Sequence, residues 1–263
     1  MSVEESDDSP LQLSVITVVR DNTSGFIDTL NSLKAQSISE FNWVVIDSST
    51  DRTAIPSLLE SSGQPADYLW VEPEGIYPAM NVGARIAKGS YLYFLNSGDT
   101  LFNSETLRRV EKDLAATSPL WAFGKINFWS QKGGKLTEPN WDYMTEQHHR
   151  FSRGRFPGHQ GVFVEKQAFE DLGGLDTRFS IVADYHMICR LSQIRTPREL
   201  GFVVAKFTQG GASTVSWRTA QKEFRSARKM VFPPNLANQF EELLFGAKAY
   251  ASHIIANRRS KSR

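Results

Sequence analysis

The sequence holds a single cysteine, Cys189, which excludes an internal disulfide and any cysteine-based zinc cluster, and permits a reducing compartment. No apolar run approaches the roughly 18 residues that a bilayer-spanning helix requires. The net charge is only +1 over 263 residues, so no global field draws the chain to nucleic acid. The first ten residues lack both the basic start and the apolar middle of a signal peptide. They carry Glu4, Glu5, Asp7 and Asp8 and read as a disordered acidic lead-in. No His-Glu-x-x-His or His-x-x-x-His spacing marks a zinc hydrolase, and no Gly-x-Gly-x-x-Gly follows the first expected strand, which disfavours a dinucleotide oxidoreductase. Internal repeats and low-complexity linkers are also missing.

What is present is a hydrophobic content of 40%, ample for a buried core. Leu13 to Val19 is a continuous apolar run rich in β-branched residues, the pattern of a strand buried on both faces. Phe26 to Gln36 has helical spacing, Trp43 to Ile46 is a second strand ending at Asp47, and Thr53 to Ser61 is a second helix. A third strand at Tyr68 to Val71, a helix at Pro78 to Ala87 and a strand at Tyr91 to Leu95 complete an alternation that predicts a parallel, doubly wound α/β sheet. The second half is less regular. Strands are predicted at Trp121 to Trp129, Lys135 to Thr137 and Val162 to Val164. Helices are predicted at Lys166 to Leu172, Ala183 to Gln193, Trp217 to Val231 and Leu236 to Asn257, the last two separated by Pro233-Pro234.

Several polar clusters punctuate this pattern. Asp47, Ser49, Thr50 and Asp51 follow the second strand, where they could serve a base and ribose or cap the next helix. Gly75 to Gly83 contains Met80-Asn81, which could face a ligand or serve local packing. Leu95-Asn96-Ser97-Gly98-Asp99 ends a buried strand in small polar residues and one carboxylate. That is how an α/β fold delivers an acid to the ligand-binding edge of its sheet, although the same residues also make turns. His159-Gln160 precedes a strand, where His159 reads as a ligand contact or a hydrogen-bonded structural histidine. Asp184 opens a helix, a position the helix dipole favours for any acid. Thr208 to Thr214 is a glycine loop that could close over a ligand. The helix after it carries Arg218, Lys222, Arg225, Arg228 and Lys229, a set suited to diphosphate or anionic lipid, or simply to solvent.

The order of these clusters over about residues 11 to 232 resembles family 2 glycosyltransferases; Asp184-Tyr185 is similar to the (Glu/Ser)-Asp-Tyr of their inverting members, and Leu95 to Asp99, His159-Gln160 and Gly210 to Thr214 are similar to the colanic-acid-biosynthesis type within the family. The resemblance implies the GT-A fold, a Rossmann-like, mostly parallel central sheet flanked by helices, with C-terminal helices. It divides the chain into a nucleotide-sugar half (11–101), an acceptor half (102–232) and a C-terminal helix with a basic tail (233–263). It implies an inverting transfer of a hexosyl or deoxyhexosyl group from a nucleotide-sugar to a saccharide or polyprenyl-linked saccharide in surface polysaccharide assembly, with GDP-fucose as one donor. Asp184 would be the catalytic base. The donor would meet Thr17, Val18, Arg20, Asp47, Ser49, Asp51, Tyr77, Met80, Asn81, Asn96, Ser97 and Asp99, and the acceptor His159 and Gln160. Asp99 would hold a divalent metal, Mg²⁺ or Mn²⁺. The family's usual Asp-x-Asp is here Asn-x-x-Asp, its Asp-(Asp/Gly)-Gly-Ser-Thr-Asp is shorter at Asp47 to Asp51, and Pro78 stands where an acid is common. These departures keep a second reading open, a nucleotide- or sugar-binding protein of the same fold without turnover. A cytoplasmic location is expected, with peripheral contact to the inner membrane face through Phe240, Leu243, Leu244, Ile254, Ile255 and the basic residues Arg258, Arg259, Lys261 and Arg263.

Overall fold

A computed structural model describes residues 13–129, 135–136, 151, 156–208 and 217–233. The N-terminal lead-in, the glycine loop at 209–214 and the helix expected at 236–257 lie outside the described residues. Among the described residues no helix is long and apolar enough to cross a membrane.

The first half alternates as its sequence periodicity requires. It runs β1 (Leu13–Val19), α1 (Thr23–Lys34), β2 (Asn42–Asp47), α2 (Ala54–Ser62), β3 (Asp67–Trp70), α3 (Ile76–Ile86) and β4 (Tyr91–Phe94). Strand β1 pairs in parallel with β2 on one side and β4 on the other, and β2 pairs in parallel with β3. Helix α1 starts three residues before the apolar stripe suggests, because the Asn22 side chain accepts the Gly25 N–H at 3.2 Å and caps it. Helix α3 takes Pro78 in its first turn, where a missing N–H costs nothing, and so includes Tyr77.

The second half is β5 (Thr100–Leu101), α4 (Thr106–Thr117), β6 (Trp121–Trp129), β7 (Lys135–Leu136), a 3₁₀ turn (His159–Gly161), β8 (Val162–Glu165), α5 (Lys166–Asp171), α6 (Ala183–Ile194), β9 (Arg198–Thr208) and α7 (Trp217–Val231). The sheet runs β3-β2-β1-β4-β8-β6-β9-β5, with β7 beside β6. Strand β8 enters antiparallel to both β4 and β6, and β9 lies parallel to β6. Helix α4 and strands β5 and β9 were not anticipated. Leu107, Val110 and Leu114 bury one face of α4 at the spacing a helix demands, so that signal was present in the sequence.

Two apolar layers cover the sheet, one on each face. Ile16, Val18, Val44, Ile46, Leu92 and Phe94 point to a layer with Met80, Phe169, Tyr185 and Ala227 of α3, α5, α6 and α7. Leu13, Val15, Trp43, Val45 and Tyr93 point to the other, with Phe26, Leu30, Ile55, Val110 and Leu114 of α1, α2 and α4. Helix α3 lies so close to β1 that a Cβ on Gly83 would come 2.5 Å from Ile16 Cγ2. That contact fixes the helix whose first turn carries Tyr77.

Candidate active site at the carboxyl edge of the sheet

Parallel strands end on one edge, so β1, β2 and β4 deliver residues 20–22, 48–53 and 95–99 to the same place. Hydrogen bonds stitch these loops together. The Ser48 N–H reaches Val19 O at 2.9 Å and the Ser97 N–H reaches Val18 O at 3.1 Å. Asp21 donates its N–H to Ser49 Oγ at 2.9 Å and accepts the Thr50 N–H at 2.8 Å. Asn22 Nδ2 donates to Ser97 O at 3.2 Å while Ser97 Oγ donates to Asn22 O at 3.0 Å. Thr29 of α1 donates its hydroxyl to Asp99 O at 2.8 Å and accepts the Gly98 N–H at 3.0 Å. Gly98 has φ +99°, a turn that a side chain would strain, and it presents Asp99.

The antiparallel entry of β8 brings the second half to this edge. Tyr93 of β4 faces Phe163 of β8, so the turn preceding β8 lands beside the residues following β4. The Tyr93 hydroxyl donates to Gln160 O at 2.9 Å and secures that turn. His159 Nε2 consequently lies 3.1 Å from Asn96 Nδ2, and His159 Nδ1 lies 3.0 Å from Asp184 Oδ2. The Nδ1–H points at Asp184, which accepts it whether the ring is neutral or protonated. The Tyr77 hydroxyl shares its single proton between Ile181 O at 2.5 Å and Asp184 Oδ1 at 3.0 Å. Asp184 thus joins helix α6 to α3 and to the His159 turn.

The electrostatics set the three titratable groups apart. Burial pushes Asp99 up to about 6, an effect only partly offset by the positive charge of His159 and a hydrogen bond from Gln160. Burial would also raise Asp184, but the hydrogen bond and charge of His159, the Tyr185 N–H and the Tyr77 hydroxyl hold it below the ordinary carboxylate value. Burial alone would lower His159, whereas the hydrogen bond and charge of Asp184 and the charge of Asp99 hold it above the usual histidine range. Burial keeps the Tyr77 hydroxyl protonated far above neutrality, so it remains a donor.

The structure therefore gathers Asn96, Asp99, His159, Gln160, Tyr77 and Asp184 around one edge. The remaining donor-side residues fall into different settings. Asp47 is fully buried, accepting the Ser49 N–H at 2.7 Å and the Tyr68 hydroxyl at 3.0 Å, and so shapes the 47–51 loop. Asp51 is exposed and accepts the Thr53 N–H at 2.9 Å at the start of α2, the local role its residue type also allows. Arg20 is exposed on the first loop. Val18 and Met80 are core residues beneath the edge. Thr17 turns its hydroxyl away from the edge, accepting the Trp43 indole N–H at 3.0 Å. Both ends of the Asn81 amide are tied to one residue: Nδ2 donates to Leu175 O at 2.8 Å and Oδ1 accepts the Leu175 N–H at 2.9 Å. Of the two roles open to Asn81, local packing is the one these bonds serve.

Among the described residues no three His, Cys, Asp or Glu side chains form a ready metal cage. A divalent cation nevertheless fits the donor set in part. Asp99 is a buried carboxylate, and Asn96 Oδ1 is a buried oxygen without a hydrogen-bond partner. Two hard oxygens suit Mg²⁺ or Mn²⁺, whose other positions are commonly filled by phosphate oxygens and water. A separate cavity of about 770 Å³ lies on the other face of α6, lined by His186, Arg190, Arg178 and Met230 among others, and it contains neither Asp99 nor Asp184. The sequence reading missed Asn22 and Thr29, which tie the loops, and Glu223 of α7, which binds the backbone ahead of α6. Glu223 did carry a signal: it is the only acid in a helix with five basic residues.

The family model described as Glycosyl transferase family 2 matches residues 14–173, a span that ends after β8 and α5. A glycosyltransferase of Mycobacterium tuberculosis is 27% identical over 230 residues, covering 83% of this chain and 82% of its own. Among solved structures, Staphylococcus aureus TarS 1–349 in complex with UDP superposes with a TM-score of 0.64 at 15% identity, covering 91% of this chain and 72% of that one. The present chain spans 41% of the longer TarS structure. A mannosyltransferase from Pyrobaculum calidifontis in complex with GDP-Man and Mn²⁺ gives a TM-score of 0.63 at 17% identity, covering 95% of this chain and 79% of that one. At such identities the superpositions establish a common fold, the GT-A glycosyltransferase architecture.

Proposed function

The chain belongs to glycosyl transferase family 2, and from that premise we propose that it transfers a sugar from a nucleotide-sugar to a hydroxyl of a saccharide or polyprenyl-linked saccharide, with inversion at the anomeric carbon and Asp184 as the base. The observation that carries this reading is the setting of Asp184. Its two oxygens are oriented by Tyr77 and His159 at the sheet edge where Asn96 and Asp99 also lie. Its pKa is held low, so it is ionised at neutral pH.

The chemistry needs one proton acceptor on the side of the attacking hydroxyl. The acceptor oxygen forms a bond to the anomeric carbon as the bond from that carbon to the diphosphate oxygen breaks. The bonding pair leaves with the diphosphate, and the hydroxyl proton passes to a carboxylate oxygen of Asp184. Tyr77, His159 and the Tyr185 N–H take three of the roughly four lone-pair sites of the Asp184 carboxylate, so one remains to accept that proton without loss of its orientation. Gln160 and His159 border the acceptor side. The loops at 20–22, 47–51 and 95–99 form the donor side. A divalent cation held by Asp99 and Asn96 Oδ1 would neutralise the leaving diphosphate.

The nucleotide complexes of the two solved glycosyltransferases support a nucleotide-sugar donor for this chain, and the Mn²⁺ in one of them supports the metal. The likeness of Leu95 to Asp99 and His159-Gln160 to the colanic-acid type supports surface polysaccharide assembly, with a GDP-linked hexose or deoxyhexose as donor. The activity would be cytoplasmic, with peripheral membrane contact through the basic C-terminus. The test is a panel of UDP-, GDP- and dTDP-sugars with Mn²⁺ or Mg²⁺, read as released nucleoside diphosphate. One donor class should respond, and only with metal. Silence across the panel with every acceptor preparation tried, despite tight nucleotide binding, would favour a binding protein.

A further inference from the structure

The segment leading into α6 is gripped from outside the sheet edge by one carboxylate. Glu223 Oε1 accepts the Ser180 N–H at 3.0 Å and the Ser180 hydroxyl at 2.7 Å. Glu223 Oε2 accepts the Ile181 N–H at 2.8 Å and the Val182 N–H at 3.3 Å. Val182 is the N-cap of α6 and supplies no side-chain hydrogen bond of its own. Glu223 thus fixes, from another helix, the N–H groups of the N-cap Val182 and of the two residues ahead of it, the stretch of backbone that leads the chain into α6. Burial would raise its pKa, but the bonds from Ser180, Ile181 and Val182 outweigh burial and hold it low, so the carboxylate is charged.

The other side of the same segment is held from the donor half. Ile181 O accepts the Tyr77 hydroxyl that also meets Asp184. Residues 180–182 are therefore clamped between Glu223 on their N–H groups and Tyr77 on a carbonyl, two residues ahead of Asp184. Helix α7 adds an aromatic contact next door, with the Phe224 ring 5.0 Å from that of Tyr185 in an edge-on arrangement. An acid on a helix with Arg218, Lys222, Arg225, Arg228 and Lys229 has basic neighbours within its own helix, yet the hydrogen bonds of Glu223 go to a different element.

We infer that Glu223 is a positioning residue for sugar transfer: by fixing the backbone of residues 180–182 it sets Asp184 against the acceptor hydroxyl, so that the docked state of α7 is a condition for base catalysis. The inference rests on the reading of Asp184 as the base. A misplacement of about 1 Å at a reacting group can cost on the order of 10²-fold in rate. Glu223 contacts neither donor nor acceptor in this scheme, so its removal acts on the chemical step and not on nucleotide binding.

The test uses the full chain with Glu223→Gln and Glu223→Ala, each also combined with Asp184→Asn. Thermal melting checks folding, calorimetry gives the affinity for UDP or GDP, and release of nucleoside diphosphate from the responding donor gives kcat and KM. Folded Glu223→Gln should keep nucleotide affinity and donor KM while kcat falls roughly tenfold or more. In the Asp184→Asn background the same substitution should cause no further loss of the residual rate, because both changes disable one unit. The near-isosteric Gln variant decides the matter if the Ala variant does not fold. Unchanged kcat in folded Glu223→Gln would overturn the inference, as would a loss that multiplies in full in the Asp184→Asn background, or a matching loss of nucleotide affinity. Wild-type transfer by Asp184→Asn alone would remove the base assignment itself. An inactive Asp184→Asn beside a fully active Glu223→Gln would remove only the role of Glu223.

Discussion

Asp184 and His159 meet at 3.0 Å between Oδ2 and Nδ1, although one opens a helix and the other sits in a turn 25 residues earlier. The contact lets each hold the other in the form that the proposed transfer needs. The carboxylate gains an N–H donor that keeps it ionised, and the imidazole gains an acceptor that fixes its orientation. Asn96 engages the other imidazole nitrogen at 3.1 Å, so the pair is anchored to the loop that presents Asp99.

Asp99 should make the response to pH depend on metal. Its pKa is raised to about 6, chiefly by burial. A raised carboxylate contributes stability that is fully present below its unfolded value near 3.8 and is lost as pH rises through about 6. The metal-free protein should therefore become less stable between about pH 4 and pH 7, by up to roughly 3 kcal/mol. Asp99→Asn should flatten that slope in urea titrations and abolish metal-dependent turnover. Mn²⁺ affinity of the wild type should also fall below about pH 6, because the proton and the cation compete for the carboxylate. A wild-type slope retained in Asp99→Asn would show that another group carries it.

Tyr77→Phe removes the hydroxyl that reaches both Asp184 and Ile181. A hydrogen bond to a charged group is worth about 1.5–3 kcal/mol, so kcat should drop at least about tenfold. Affinity for the nucleoside diphosphate should be retained. A variant with unchanged kcat and weaker nucleotide binding would place Tyr77 on the donor instead.

Asn81→Ala should act on stability and spare binding. It would strip both hydrogen bonds from the backbone of Leu175, which is 3% exposed, and leave its N–H and carbonyl without those partners. The cost should be about 1–3 kcal/mol, visible as a lower Tm. Calorimetry should give the same nucleoside diphosphate affinity as the wild type. A large loss of affinity at unchanged Tm would return Asn81 to the donor pocket.

The first half of the fold was legible because each strand there is short, apolar and closed by turn residues, as in Leu13 to Val19 and Tyr91 to Phe94. The edge that collects Asp47 and Asp99 follows from the parallel alternation alone. What sequence could not supply was contact between separate elements. Asp184 and His159 were each expected near the acceptor, but their bond depends on β8 running antiparallel to β4. Asn81 could face a ligand or serve local packing on sequence alone, because an exposed amide and a latched amide have the same sequence. Its engagement with Leu175 depends on the approach of a loop 94 residues away. Strand β9 escaped notice because it mixes charged and apolar residues from Arg198 to Thr208, and its pairing with β6 decides its state.

The central claim is that Asp184 removes the acceptor proton and does not hold the nucleotide. The direct measurement compares Asp184→Asn with the wild type for nucleoside diphosphate affinity by calorimetry and for sugar transfer under saturating donor and metal. The account predicts equal affinity and a transfer rate lower by ~10²–10⁴-fold, the usual contribution of a general base. Transfer at the wild-type rate, or loss of nucleotide binding together with transfer, would contradict it.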